Sequence, residues 1–400
     1  MDQRKLGHPC AARGFTLVEL LVTVALIGIL ASIALLALQT AQEDAKMMKT
    51  RALISKLNNI VMPVWDSYST RRIPIDMPAG ATPAQVAKLR VDVIRELMRL
   101  ELPDRITDIT SAGGVVSTAN PIPIPAVTMN YLTAVAEPFV DANNNGLYDA
   151  GETFTDRNGN KIRDAITVTY QQAECLYLIV SSGVDESGGR EQFMPTEATD
   201  LDGDCVPEFV DAWRNPIRFL RWAPAFPSEL QGVLGKVRSA SGSDSIIGNL
   251  ELARGDGVYQ GRVLVFTSGT MQGTAYPITS YTGSSRTLQM TGMTGMPATG
   301  DSFMITNPDP IDPFKIYPLS YNLVPLIYSA GPDGIFDINS DNKKPTPVID
   351  RKSGSNNPFA ADGSMKVGAI MDTQGENGEP ANGDDDSKDN ITNHRLGALR

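Results

Sequence analysis

The stretch RGFTLVEL, residues 13–20, joins a short basic segment to a long apolar one. From Phe15 to Leu38 the chain has twenty-four residues and a single charged side chain, Glu19. A helix of this length is long enough to cross a lipid bilayer. A carboxylate inside such a segment is costly in lipid, so a charge at this position indicates a function.

The charges on either side of the apolar segment predict its orientation. The first fourteen residues carry a net charge of +2, whereas Glu43 and Asp44 follow the segment. Positive flanks stay in the cytoplasm. We therefore expect a single-pass protein of the inner (cytoplasmic) membrane, with its C-terminal body outside the cytoplasm. A cleaved secretory signal peptide would have a shorter apolar core and a small-residue cleavage site after it. A plain anchor fits the length but leaves Glu19 unexplained.

Residues Gly14-Phe15-Thr16-Leu17-Val18-Glu19 resemble the processing motif of type IV pilins and type II secretion pseudopilins. The resemblance implies that prepilin peptidase cuts after Gly14, removes the leader 1–14 and methylates the new N-terminus at Phe15. It also implies a membrane-embedded helix that joins other pilin or pseudopilin subunits in a filament. There, Glu19 would pair with the Phe15 ammonium of a neighbouring subunit, which offsets the desolvation of the carboxylate. The implied function is structural, with no catalysis.

Composition limits the other classes of function. The net charge of −11 disfavours nucleic acid as a partner, because phosphate binding requires basic surface. With only His8 and His394, the chain is poorly supplied for histidine metal sites or Ser-His-Asp catalysis. We predict no catalytic residues. The alternative function is a single-span, membrane-anchored, calcium-binding adhesin or receptor that does not polymerise.

The helix is expected to continue beyond the membrane. Leu53, Leu57 and Ile60 recur at helical spacing, and Pro63 predicts an end or a kink of the helix. We therefore predict one helix over 15–62, of which 15–38 is transmembrane and the rest is amphipathic. Together with the resemblance, this predicts an α+β fold in which the helix packs on a pilin-like antiparallel β-sheet body.

A second helix is predicted from Pro83 to Leu100, with Thr82 as its N-cap. Its buried stripe is expected to run along residues of helical spacing: Val86, Leu89, Val93, Leu97 and Leu100. Three arginines, Arg90, Arg95 and Arg99, are expected on its solvated side. An anion-binding face is the less favoured interpretation of these arginines.

The clearest chemical motif is the twelve-residue segment 141–152, which satisfies the pattern D-x-[DN]-x-[DN]-G-x5-E of a calcium-binding loop. Calcium takes six to eight oxygen ligands, and such a loop supplies them in order. The predicted ligands are Asp141, Asn143, Asn145, the carbonyl of Leu147, Asp149 and Glu152. The flanks do not resemble paired EF-hand helices, so the loop is expected to be structural rather than regulatory.

Two further clusters share part of this spacing. The possible second metal site is Asp200, Asp202, Asp204, Glu208 and Asp211, which would repel one another without a cation. A weaker third cluster is Asp156, Asn158, Asn160 and Asp164, which fits an ion or ordinary turn chemistry equally well. Cys175 and Cys205 could form a disulfide outside the cytoplasm, or Cys175 could be an unpaired core thiol.

The remaining chain is predicted in four parts. Residues 63–250 form the pilin-like body with its calcium loops, in which 211–216 resembles the Asp-Trp turn of the type II secretion major pseudopilin. Residues 251–310 form an inserted small β module, because short strands alternate with turns. Two interpretations of the module stay open: it serves adhesion or partner binding, or it only packs against the body. Residues 311–341 return to the body, and 342–400 form an acidic, partly disordered C-terminal segment.

Overall fold

The computed structural model describes residues 16–76, 79–110, 115–117, 120–135, 140, 142, 151–156, 161, 169–183, 193–203, 206–240, 242, 244–340, 358–359, 367–371 and 389–396. The chain divides into two compact units, residues 1–48 and residues 49–400. A long N-terminal helix and a body rich in antiparallel β-structure confirm the predicted α+β class.

Helix α1 runs from Leu17 to Ser67 and begins and ends at different places from those predicted. The expected end at residue 62 is wrong, because the helix passes through Pro63. A proline in a helix removes one hydrogen bond. Here the loss is offset by packing on both sides of it, since Val61 and Trp65 are buried. Within the second unit, the buried positions of α1 form one stripe of helical spacing, as predicted for an amphipathic helix: Thr50, Leu53, Ile54, Leu57, Val61 and Trp65.

Helix α2, Pro83–Glu101, has the predicted start. Thr82 and Gln85 form a capping box, in which each side chain accepts a hydrogen bond from the other residue's backbone N–H. The prediction of a solvated arginine side is wrong, because every residue from 91 to 101 is buried. Arg95 and Arg99 are only 2% and 3% exposed. An amphipathic pattern assumes one solvated side, whereas here the body covers both sides of the helix from residue 91 onward and pairs its charges.

A buried ion network joins α2 to the segments that follow it. The network includes Arg99, whose Nε donates to Glu96 at 3.0 Å and whose Nη1 donates to the carbonyl of Asp108 at 2.8 Å. Arg221 donates to the carboxylate of Asp108 at 2.9 Å and lies 3.5 Å from that of Asp104. Buried charges require such partners, because desolvation without pairing costs several kcal/mol.

Short elements occupy the middle of the body. They are α3 (Ile106–Thr110), β1 (Val115–Ser117), β2 (Asn120–Pro121), α4 (Ala126–Val135), α5 (Gln171–Leu178), a π-helical turn (Ile179–Gly183), β3 (Ala198–Thr199) and β4 (Glu208–Phe209). The strands pair as two antiparallel ladders, β1 with β2 and β3 with β4. Helix α5 packs against β4 and against the next strand, β5 (Arg218–Leu220).

Six strands then close into an antiparallel barrel. They are β6 (Gly232–Ala240), β7 (Ser245–Gly248), β8 (Val263–Phe266), β9 (Ala275–Thr282), β10 (Thr287–Met290) and β11 (Ser302–Thr306). Their order around the barrel is β10-β7-β6-β11-β8-β9. The interior is filled by apolar side chains such as Phe266, Leu288 and Phe303, all fully buried. Barrel closure leaves no free strand edge.

The barrel coincides with the inserted β module of the sequence analysis but begins earlier than the boundary drawn at residue 251. Strands β6 and β7 lie before that boundary, and glycines explain why they were not predicted. A Cβ on Gly232 would lie 2.2 Å from the carbonyl oxygen of Ile305, and a Cβ on Gly235 would lie 2.6 Å from the ring of Phe303. Close packing thus requires glycine, a residue that weakens the sequence pattern of a strand.

The end of the chain returns to the body. Strand β12 (Leu326–Ser329) pairs with β5 on one side and with β13 (Ile391–Thr392) on the other, which forms a three-stranded antiparallel sheet. Phe359, Val367 and Ala369 are buried as well. Of the segment 342–400, the described parts are therefore packed pieces of the core; its other residues lie outside the described ones.

Candidate assembly helix and candidate metal centre

The start of α1 is organised by Thr16 and Glu19. The backbone N–H and the hydroxyl of Thr16 both donate to Oε2 of Glu19 at 2.9 Å, and the N–H of Glu19 donates to the hydroxyl of Thr16 at 3.2 Å. This is a capping box, which satisfies two backbone donors at the helix N-terminus. The carboxylate thus lies at the positive end of the helix dipole. Gly14 and Phe15, the predicted processing residues, lie outside the described residues.

The rest of this part of α1 is apolar and exposed. From residue 17 to residue 38, its large side chains are between 48% and 78% exposed. Its most apolar eighteen-residue window has a mean hydropathy of 2.8, and none of it is buried. By length and composition, the helix is able to cross a membrane. This is the only helix of the described residues that meets both criteria.

Three carboxylates converge in the second unit. Glu174 of α5, Asp202 and Glu208 of β4 place oxygen atoms within 4.8 Å of one another. Glu174 and Glu208 are fully buried, whereas Asp202 is exposed. The pairing of β3 with β4 and the packing of α5 on β4 bring these residues together. Carboxylate oxygens at this spacing could hold a hard divalent cation, which would relieve their mutual repulsion.

The loop before Glu208 is ordered around this group. Oε2 of Glu208 accepts the N–H of Leu201 at 2.9 Å, and Oδ1 of Asp200 accepts the N–H of Gly203 at 2.7 Å. Gly203 has a φ of +84°, a conformation that favours glycine. Of the predicted second site, the structure thus brings together Asp202 and Glu208. Asp204 lies outside the described residues.

Asp211, also predicted for the second site, has a different role. Its Oδ1 accepts the N–H groups of Trp213 and Asn215, both at 2.8 Å, and its Oδ2 accepts the hydroxyl of Ser329 at 2.7 Å. Burial raises the pKa of Asp211 despite these hydrogen bonds. The side chain therefore ties the turn 211–215 to β12. Arg214, which stands where the resembling motif has glycine, adopts a φ of +75°.

Most of the predicted calcium loop 141–152 lies outside the described residues, including Asp141, Asn143, Asn145, Leu147 and Asp149. Its two ends are described. The N–H of Val140 donates to the carbonyl of Thr153 at 2.8 Å, and Oε1 of Glu152 accepts the N–H of Ala142 at 2.9 Å. The ends of the segment therefore lie side by side, as a closed ion-binding loop requires. The site itself stays a prediction.

The third cluster and the cysteines are partly described. Oδ2 of Asp156 accepts the N–H of Lys161 at 2.9 Å, and Lys161 has a φ of +64°. Asn158, Asn160 and Asp164 lie outside the described residues. The thiol of Cys175 is buried, which raises its pKa. Cys205 lies outside the described residues, so the disulfide stays a prediction.

Glu174 was not among the predicted site residues. It is the only charged residue of the segment Gln172–Val180, which is otherwise apolar or polar and neutral. The signal available in the sequence was this single carboxylate in an otherwise uncharged segment. The sequence does not show that this carboxylate meets Asp202 and Glu208, because chain folding alone brings α5 next to β4.

Comparison with known families gives a match at the N-terminal part of the chain. The family model described as the prokaryotic N-terminal methylation motif matches residues 10–35.

The chain carries a prokaryotic N-terminal methylation motif.

The methylation motif covers the predicted cleavage point and, with residues 17–35, most of the exposed apolar part of α1. It supports the resemblance to type IV pilin-like proteins and indicates processing by prepilin peptidase. Together with the apolar helix, it indicates a membrane-anchored protein with an extracytoplasmic body. No curated protein and no solved structure matches the chain.

Proposed function

We propose that the protein is a structural subunit of a type IV pilus-like or type II secretion pseudopilus filament. Prepilin peptidase cuts after Gly14, and the mature subunit assembles through α1. The observation that carries this proposal is the position of Glu19, the only charge in an apolar helix that also carries the methylation motif. The subunit is first anchored in the cytoplasmic membrane, with its body outside the cytoplasm, and then extends into an extracytoplasmic filament.

The hydrogen bonds of Glu19 suggest how the charge is tolerated before assembly. In the single chain, the carboxylate accepts two hydrogen bonds from Thr16. Hydrogen-bonded carboxylates are less costly to desolvate than bare ones. In a filament, the Phe15 ammonium of a neighbouring subunit replaces part of this stabilisation with an ion pair. The exposed apolar side chains of α1 are covered by lipid before assembly and by neighbouring helices after it.

Calcium is proposed as the stabilising ion of the body. The candidate centre of Glu174, Asp202 and Glu208 supplies carboxylate oxygens, which calcium prefers. The segment 141–152 supplies a second set in the order of a calcium loop. Ion binding to the folded body alone would raise its stability by mass action.

The experiment that tests the proposed function changes Glu19 to Leu in the native cells. We expect the Glu19→Leu protein to remain in the membrane fraction and to be lost from sheared filaments, because the partner of the neighbouring ammonium is removed. The matched control is Glu43→Leu, the same change at an exposed position of the same helix beyond its apolar part. This control should enter filaments as the parent does.

The alternative function is a membrane-anchored, calcium-binding adhesin or receptor that does not polymerise. It predicts that Glu19→Leu leaves the distribution of the protein unchanged and that the parent protein is absent from sheared filaments. Either result would contradict the filament proposal while leaving the methylation motif explained as a processing site.

A further inference from the structure

A cavity of about 470 Å³ lies in the second unit, away from the candidate metal centre. Its lining residues come from the C-terminal end of α1, from α2 and from the segment 308–323, together with Trp222, Pro358 and Phe359. This volume is within the range of pockets that bind small molecules. The filament proposal assigns no role to this cavity.

Aromatic side chains form much of the wall. Trp65, Trp222, Tyr321 and Phe359 all line the cavity, and each is at most 8% exposed. The ring of Trp222 is held in place, because the Arg221 guanidinium stacks on it at 4.4 Å from the ring centre. Because these rings are already held in place, a ligand that contacts them costs little side-chain entropy.

The same wall contains polar groups that have no hydrogen-bond partner among the residues that the structure describes. Among the residues that the structure describes, neither the Trp65 nor the Trp222 indole N–H donates a hydrogen bond, and neither nitrogen is enclosed. Trp222 is only 7% exposed. The carboxylate of Asp66 and the side-chain amide of Asn322 are likewise without a hydrogen bond in the described chain. The wall therefore presents two indole N–H donors and two side chains with acceptor oxygens, a carboxylate and an amide.

The charges of the cavity disfavour an anionic ligand. Arg95 lines the cavity, but its guanidinium is already paired with Asp309, at 3.1 Å between Nη2 and Oδ2. Both of these side chains are at most 8% exposed. Asp66 is thus the charge that remains for a ligand. A quaternary ammonium ion would suit the aromatic rings, but it offers no acceptor to the indole N–H groups.

We propose that this cavity binds a neutral saccharide of one or two rings. Each sugar ring has an apolar C–H face that can stack on an aromatic side chain. Its hydroxyl oxygens accept hydrogen bonds from Trp65 and Trp222, and its hydroxyl hydrogens donate to Asp66 and Asn322. A polyhydroxylated ring is the ligand class that satisfies the donors, the acceptors and the aromatic wall together.

The test uses tryptophan fluorescence of the full chain in micelles of lauryldimethylamine oxide, a detergent without a sugar headgroup. Two of the three tryptophans line the cavity, whereas Trp213 does not. The neutral probes are glucose, N-acetylglucosamine and maltose. Glucuronic acid tests an anionic sugar, and choline tests an organic cation. We expect at least one neutral probe to change the fluorescence in a saturable way at millimolar concentration.

Two variants and a control assign the site. Asn322→Ala removes one hydrogen bond from a half-buried side chain and should weaken binding by about threefold to tenfold. Asp66→Asn should weaken it by a similar factor. Trp213→Phe, the control, should leave both the affinity and most of the fluorescence change intact. Circular dichroism of each variant checks that it is folded.

Three results would overturn the proposal. The first is the lack of a saturable change with all three neutral probes. The second is a response to glucuronic acid or choline that exceeds every neutral probe, which would indicate an anion site or an aromatic cation site. The third is a response that survives in Asn322→Ala and Asp66→Asn but is lost in Trp213→Phe, which would place binding elsewhere.

Discussion

The guanidinium of Arg221 lies 2.9 Å from the carboxylate of Asp108, and each side chain is 3% exposed. Burial on its own would raise the pKa of Asp108, but Arg221 and then Arg99 outweigh it, so the pKa of Asp108 is lowered. The pair connects α3, which contains Asp108, with the residue that follows β5, and therefore holds the sheet against the helices. The ion pair also holds the guanidinium of Arg221 in place over the ring of Trp222.

Removing this arginine should destabilise the body strongly. Arg221→Met leaves the buried carboxylates of Asp104 and Asp108 with only more distant guanidinium groups, those of Arg105 at 3.9 Å and Arg99 at 3.7 Å, which costs about 3–5 kcal/mol. The free energy of unfolding is measured with urea on the full chain in detergent. The control is Arg238→Met, an exposed arginine of β6, which should change stability by less than about 0.5 kcal/mol. Equal effects of the two changes would contradict a structural role for the network.

Calcium should stabilise the body through the candidate metal centre. We expect millimolar calcium to raise the melting temperature of the full chain, because an ion bound only by the folded state shifts the equilibrium toward it. Glu208→Gln and Glu174→Gln each remove a charge from the centre and should lower the calcium-dependent shift. Glu152→Ala should remove the part of the calcium-dependent rise in melting temperature that comes from the loop 141–152.

Glu229→Gln is the matched control, since Glu229 is exposed and belongs to neither acidic group. Its calcium response should equal that of the parent. A parent protein whose melting temperature is unchanged by calcium would contradict calcium binding at both places.

His394 should make the stability depend on pH. It is 9% exposed, and its Nε2 lies 3.0 Å from the carbonyl of Pro325. Burial lowers its pKa to about 4, despite that contact. A histidine with a lowered pKa in the folded state contributes stability above the unfolded pKa of about 6.5, and this stability is lost as the pH falls toward 4. The loss should reach about 3 kcal/mol at pH 4.

The comparison of the parent with His394→Gln isolates this contribution from the other acid-sensitive groups. Urea unfolding between pH 7 and pH 4.5 should show a steeper loss of stability in the parent. If the free energy of unfolding fell in parallel in the two proteins as the pH is lowered, the imidazole would take up a proton in the folded state as readily as in the unfolded state. That result would contradict the prediction.

The sequence predicts those elements that local patterns determine. The α2 start follows from Thr82 and Pro83, and β8 to β11 follow from short strand-like segments separated by turns. The elements that it misses depend on neighbours distant in the chain. Strand β6 contains Gly232 because the backbone of β11 approaches it closely.

The residues of the candidate sites also divide into those that a local pattern predicts and those that depend on distant parts of the chain. The motif around Glu19 is local, and its family model matches. By contrast, the burial of Arg95 depends on Asp309, and the centre at Glu208 depends on Glu174, each far away in the sequence. A single sequence gives the charges of these residues but not their partners, because tertiary packing decides which charges meet.

The N-terminus of the protein isolated from its native cells tests the central claim most directly. Mass spectrometry of its N-terminal peptide should find a chain that begins at Phe15 with a methylated amino group, because prepilin peptidase removes residues 1–14. A protein that still begins at Met1 would contradict the account.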